Sequence, residues 1–195
     1  GQHGAADDAR LGGEYREFDS PQGHGKGRGY LAQPAEPTGP LPSVLVVHEN
    51  RGLNPHIEDV ARRLALAGYR AFAPDALFTL GGYPGDEDSA RALFPQLDQA
   101  KCREDFVAAS RWLLALEGGN GRLGATGFCY GGAIVNLLAT RLPELAAAAP
   151  YYGGAAPLEG VPDIKAELLV VLAADDERVN ATWPPYEAAL TAAGT

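Results

Sequence analysis

Apolar and polar positions along this chain fall into short strand-like runs and longer stretches of helical period. Residues 14–18 and 29–33 read as two short strands, joined by a turn-rich stretch that includes Pro21, Gly23, Gly25 and Gly27. A proline-rich connection over 34–42 leads into Ser43-Val44-Leu45-Val46-Val47, a continuous apolar run of the kind buried on both faces of a sheet. Asn54 is a good N-cap and Pro55 suits a first helical position, so a helix is expected from 55 until Gly68. Its apolar face is Ile57, Val60, Ala61, Leu64 and Ala67. A strand over 69–73 follows, then an irregular stretch over 76–99 with a short helix at most. A helix over 103–116 carries Phe106, Ala109, Leu113 and Leu116 on one face, with Cys102 just ahead of it. Small residues at 123–126 form a strand, the apolar stretch 133–139 a helix, and 145–151 and 168–172 two more strands. A proline-started helix over 184–193 comes last. Strands alternating with helices predict an α/β fold, a mostly parallel sheet with helices on both faces.

Composition narrows the classes. A chain of 195 residues with 46% hydrophobic content can bury one core, and no apolar run is long enough to span a membrane. The net charge is -9 and the basic residues are scattered, which argues against nucleic acid as a partner. Residues 1–13 are small and polar and read as an extension, leaving 14–195 as a single domain. A cytoplasmic protein is expected, with an exported form left open. Cys102 and Cys129 are the two cysteines, too few for a disulfide framework, and Cys102 reads as incidental. The four histidines are dispersed and there are two cysteines, so no metal cluster is expected, and without a glycine-rich phosphate loop no cofactor is implied.

The chemistry gathers at Gly127-Phe128-Cys129-Tyr130-Gly131-Gly132, a turn between a strand and a helix. A turn this tight has room only for glycine two residues either side of its apex, and it pushes the apex residue into a strained backbone above the sheet. Here the apex is a thiol at a helix N-terminus, which suggests a cysteine nucleophile. Ligands of doubly wound sheets bind at the carboxyl ends of the strands. His48-Glu49-Asn50-Arg51-Gly52, the Cys129 turn and Asp175-Asp176-Glu177-Arg178 are all placed there. Cys129 followed by Asp176 keeps the nucleophile-then-acid order of the α/β-hydrolase fold. The backbone N–H groups of Tyr130 and Asn50 are the expected oxyanion donors.

On these stretches, together with Ala73-Pro74-Asp75, Asp176-Glu177-Arg178-Val179-Asn180 and Trp183 to Leu190, the chain resembles the dienelactone hydrolase family from about Arg16 onward. The resemblance implies a Cys-His-Asp triad acting on a small-molecule ester or lactone through an acyl-cysteine. It also implies a glutamate, here Glu49, that takes the thiol proton when substrate enters. Asp176 is then the acid, with Asp175 its neighbour. The triad histidine should follow the last helix, whereas His3, His24, His48 and His56 all precede Cys129. The histidine is therefore expected beyond Thr195, along with a final strand and helix. With no Met in the chain, both ends read as cut.

His48 and Glu49 are adjacent and so point to opposite sides of a strand end, which gives His48 a supporting role. Asp75 is expected to fix a loop. Arg51 and Arg91 are candidates for a substrate carboxylate, because guanidinium meets it with two hydrogen bonds. The competing reading is a non-catalytic relative that binds a carbonyl ligand or senses oxidants through Cys129. Substrate and oligomeric state are left open.

Overall fold

The computed structural model describes residues 8–151 and 167–168. Among the described residues, seven strands form one sheet in the order β1-β2-β4-β3-β5-β6-β7. β1 (Leu11–Ser20) and β2 (Gly25–Pro34) are an antiparallel hairpin, and β2 pairs antiparallel with β4 (Arg70–Pro74). β3 (Leu41–Val47), β5 (Gly119–Phe128), β6 (Leu145–Tyr151) and β7 (Glu167–Leu168) continue the sheet in parallel with β4. Both hairpin strands outrun their apolar centres. β1 takes in Leu11 to Gly13, which the sequence reads as extension, because backbone pairing with Ala32 to Pro34 carries the strand past its apolar residues.

The side-chain alternation of β3 explains the layers. Leu45 and Val47 join the core shared with Phe72, Phe106, Leu113 and Leu138, while Val46 joins Ile57, Ala61, Ala65 and Ala71 on the opposite face. The first face is covered by α3 (Gln99–Ala115) and α4 (Tyr130–Arg141), the second by α1 (Pro55–Leu66). The Asn54 side chain accepts a hydrogen bond from the Ile57 N–H at 3.0 Å, the N-cap its sequence predicts. Ile57, Ala61 and Ala65 are fully buried, one residue per four, so the stripe ends at Ala65; Ala67, expected on it, is exposed.

The 76–99 stretch holds more structure than its composition suggests. A 3-10 turn (Phe78–Leu80), the helix α2 (Glu87–Leu93) and a second 3-10 turn (Phe94–Gln96) cross the carboxyl side of β4. Asp86 caps α2 through the Ser89 N–H at 2.8 Å. Asp98 caps α3, which therefore starts four residues before the expected position and contains Cys102, fully buried. The predicted strand over 145–151 is found as β6; the helix over 184–193 and most of the 168–172 strand lie outside the described residues.

Arg70 opens β4 and is almost fully buried. Its guanidinium donates to the Ser43 hydroxyl at 3.2 Å and to the carbonyls of Leu113, Leu116 and Glu117 at 2.7, 3.0 and 2.7 Å. Leu113 lies in the last turn of α3, where its carbonyl also accepts from the Leu116 N–H at 3.3 Å, and Leu116 and Glu117 follow the helix, so the cation adds hydrogen bonds at this end and suits the helix dipole. Burial lowers the Arg70 pKa.

Candidate active site

Parallel pairing of β3 with β5 sets Val47 opposite Gly127, so the residues that follow the two strands emerge side by side. Cys129 is the N-cap of α4, with φ 51° and ψ -114°, and is the one non-glycine residue with positive φ among those described. That conformation is costly for a side chain with a Cβ and persists only where the surroundings hold it. Both flanking glycines are steric necessities. A Cβ on Gly127 would lie 2.6 Å from the Gly131 carbonyl and 2.9 Å from the Val47 oxygen. A Cβ on Gly131 would lie 2.2 Å from the Val47 oxygen and 2.8 Å from the His48 oxygen. The start of α4 therefore rests directly on the end of β3, and the Cys129 residue is left exposed at the helix N-terminus. Its carbonyl accepts the first turn's hydrogen bond from the Ala133 N–H at 3.0 Å.

His48 follows β3 and is fully buried. Its Nδ1 lies 2.7 Å from the Glu49 carbonyl and its Nε2 3.0 Å from the Ala76 N–H. The partners assign the tautomer: Nδ1–H donates and Nε2 accepts. The ring packs edge-on against Phe94 and Phe106. Desolvation drives its pKa down to about 4, so the imidazole is neutral near neutral pH. With both nitrogens engaged, His48 is a strut between the loops after β3 and β4.

Glu49 is partly buried and Asn50 exposed, in a tight turn closed by the Gly52 N–H on the Glu49 carbonyl at 3.2 Å. Tyr130 is fixed from two sides, its hydroxyl donating to Gln99 Oε1 at 3.0 Å and its ring meeting Phe94 edge-on at 5.0 Å. Phe94, Gln99 and Ala76 escape sequence reading as parts of the site, because their contribution is contact made through the fold rather than a motif. Arg51 sits in the loop after β3 and pairs with Glu87 of α2 at 3.3 Å, with both side chains substantially exposed. Arg91 is exposed and pairs with Asp88 of its own helix. Asp75 directs Oδ1 to the Leu77 N–H at 2.9 Å, and burial raises its carboxyl pKa to about 6. Asp176 lies outside the described residues. The structure thus brings the Glu49–Asn50 loop and the Cys129 turn to one edge, with the Arg51 loop alongside and Arg91 on α2.

A model of the dienelactone hydrolase family matches residues 28–195. The chain is 58% identical over 91 residues to a protein of Escherichia coli (strain K12) provisionally named hydrolase fragment YghX, covering 47% of this chain and 78% of that one. A Methylorubrum extorquens protein provisionally named carboxymethylenebutenolidase is 34% identical over 184 residues, 85% of this chain and 62% of its own. Relatives of that name are matched over 47% to 62% of their length, so the chain spans about half of most of them. Among solved structures, a protein from Klebsiella pneumoniae subsp. pneumoniae, described provisionally as a dienelactone hydrolase, superposes with a TM-score of 0.77 at 32% identity, covering 94% of this chain and 82% of that one. The sheet order and its helices are those of the α/β-hydrolase fold.

Proposed function

This chain belongs to the dienelactone hydrolase family, and we propose that it hydrolyses a small-molecule ester or lactone through Cys129. The observation that carries this reading is the strained, exposed Cys129 between two glycines that admit no side chain, at the carboxyl edge of parallel strands. A thiolate is a competent nucleophile toward an activated ester near neutral pH, and a helix N-terminus favours the anion.

In the proposed sequence, Glu49 takes the proton from the Cys129 thiol. The thiolate attacks the carbonyl carbon, a C–S bond forms, and the carbonyl π pair moves to oxygen. The backbone N–H groups of Tyr130 and Asn50 receive that oxyanion. Collapse breaks the C–O bond and expels an enolate or alkoxide, which takes up a proton. Water then adds to the thioester and gives its proton to a base, the C–S bond breaks, and the acid product leaves as thiolate returns. Asp176 is the acid that orients this base, a histidine in the order the family resemblance implies. His48 is not that base, since both its ring nitrogens are hydrogen-bonded. Arg51 and Arg91 would meet a substrate carboxylate only after giving up Glu87 and Asp88.

Turnover of p-nitrophenyl acetate by wild type, Cys129→Ser and Glu49→Gln tests the proposal, with mass spectrometry of the acylated protein. Loss of turnover in both variants and an acetyl adduct on Cys129 are expected. Equal background rates in all three proteins would sink it.

A further inference from the structure

On the face of the sheet covered by α3, three side chains remote in sequence converge. His24 ends the turn between β1 and β2, while Cys102 and Asp105 are three apart on α3 and share one face of that helix. One ligand atom from each lies within 4.8 Å of the other two. Scattered histidines and a lone buried cysteine carry no spacing signal for such a group; only the docking of the hairpin on α3 assembles it.

We propose that His24, Cys102 and Asp105 form a zinc-class cation site that clips the β1–β2 hairpin to α3. An imidazole, a thiolate and a carboxylate are together the donor set of a tetrahedral zinc site with three protein ligands, and the two anions balance the charge of the ion. The carboxylate is already oriented. Asp105 Oδ1 accepts from the Ser20 hydroxyl at 2.6 Å and from the His24 backbone N–H at 2.9 Å, which leaves Oδ2 turned toward the imidazole, 2.5 Å from Nδ1. Such supporting hydrogen bonds are what hold ligands in metal sites. Cys102 and Asp105 also line a cavity of about 10 Å³, the room one water needs, and a fourth ligand belongs there. Lys26, on the same cavity wall, does not compete, because its ammonium lies 2.9 Å from Asp19. If Nδ1 is the ligating nitrogen, inserting the ion parts Nδ1 and Oδ2 by roughly 1 Å to reach tetrahedral spacing. On binding, the Cys102 S–H bond breaks, its proton goes to solvent, and the sulfur pair bonds the metal; the proton between Nδ1 and Oδ2 passes through solvent to Nε2, so with a neutral imidazole one proton leaves per ion bound.

The site is independent of the hydrolase reading and is tested without activity. Cobalt(II) is added to chelator-treated protein as a spectroscopic probe, and zinc is then used to displace it. Wild type is expected to bind one equivalent, with thiolate-to-cobalt charge-transfer absorption and tetrahedral d–d bands. Both features should vanish in Cys102→Ser, persist in Cys129→Ser, and require at least tenfold more cobalt in His24→Ala. Absence of these bands in wild type, their survival in Cys102→Ser, or their loss in Cys129→Ser overturns the site. Should Cys102→Ser fail to fold, His24→Ala decides, and unchanged cobalt affinity there overturns it.

Discussion

Replacing Gly131 by alanine tests the packing that seats the Cys129 turn. The new Cβ would lie 2.2 Å from the Val47 oxygen and 2.8 Å from the His48 oxygen, where ordinary contact begins at 3.4 Å. Both oxygens are backbone, and β3 is paired with β4 on one side and β5 on the other, so no flexible side chain can give way. The turn and the strand end must separate by roughly 1 Å, an overpacking that costs ~1–3 kcal/mol. Alanine returns up to ~1 kcal/mol in helix propensity at the start of α4. The net expectation is a loss of about 1–2 kcal/mol in urea unfolding, together with a changed rate of iodoacetamide labelling at Cys129. Gly124→Ala, in the strand that leads to the same turn, is the control. Its Cβ would meet nothing nearer than the Ala147 oxygen at 3.5 Å, so it should stay within ~0.5 kcal/mol of wild type or gain slightly. Wild-type stability and labelling in Gly131→Ala would refute the claim that the end of β3 is the wall on which the turn is built.

Arg70→Met should cost ~3 kcal/mol in the same unfolding assay, because it removes the donor to the Leu116 and Glu117 carbonyls and one of the two donors to Leu113, and Arg70→Lys should recover only part of it, since an ammonium cannot fork; a loss below about 1 kcal/mol would contradict this. The pH dependence of stability carries two opposed contributions. His48 has its folded pKa lowered from 6.5 to about 4, so the unfolded chain binds more protons between these values and stability falls on acidification; Asp75, raised from 3.8 to about 6, does the reverse. Between about pH 7.5 and about pH 4.5, His48 removes ~2.5 kcal/mol and Asp75 returns ~2 kcal/mol, leaving wild type nearly flat. Asp75→Asn should therefore gain stability at the higher pH and lose ~2.5 kcal/mol across the interval. Parallel urea-unfolding profiles for the two proteins would show the assignment to be wrong.

What could be read from the chain follows from how local each signal is. The end of β3, the Asn54 cap with Pro55, and the Cys129 turn declare themselves over a few residues, since apolar runs, caps and paired glycines act at short range. The hairpin was legible in kind and short in extent, because cross-strand pairing, invisible in a single strand, carries it to Leu11 and Pro34. Asp98, the cap of α3, carries no signal in the sequence reading, which sets Cys102 just ahead of the helix that buries it. Arg70 gave no warning either. A charged residue before Ala71-Phe72-Ala73 looks like a solvent-facing strand start, and only the end of α3, more than forty residues later, makes it an interior group.

Arg70 and His48 act on the same pair of strands from opposite ends. At the amino end, Arg70 and Ser43 tie β4 and β3 to the last turn of α3. At the carboxyl end, His48 ties the loop after β3 to the loop after β4 through Ala76. Fastened at both ends, β3 cannot yield locally, and the oxygens of Val47 and His48 become a rigid surface for Gly131 to rest on. An unfavourable backbone conformation survives only where neighbouring structure leaves it no alternative. The cost of φ 51° at Cys129 is thus offset across the central strands, which is why variants of Arg70 and of His48, neither part of the turn, should alter thiol labelling in proportion to the stability they remove.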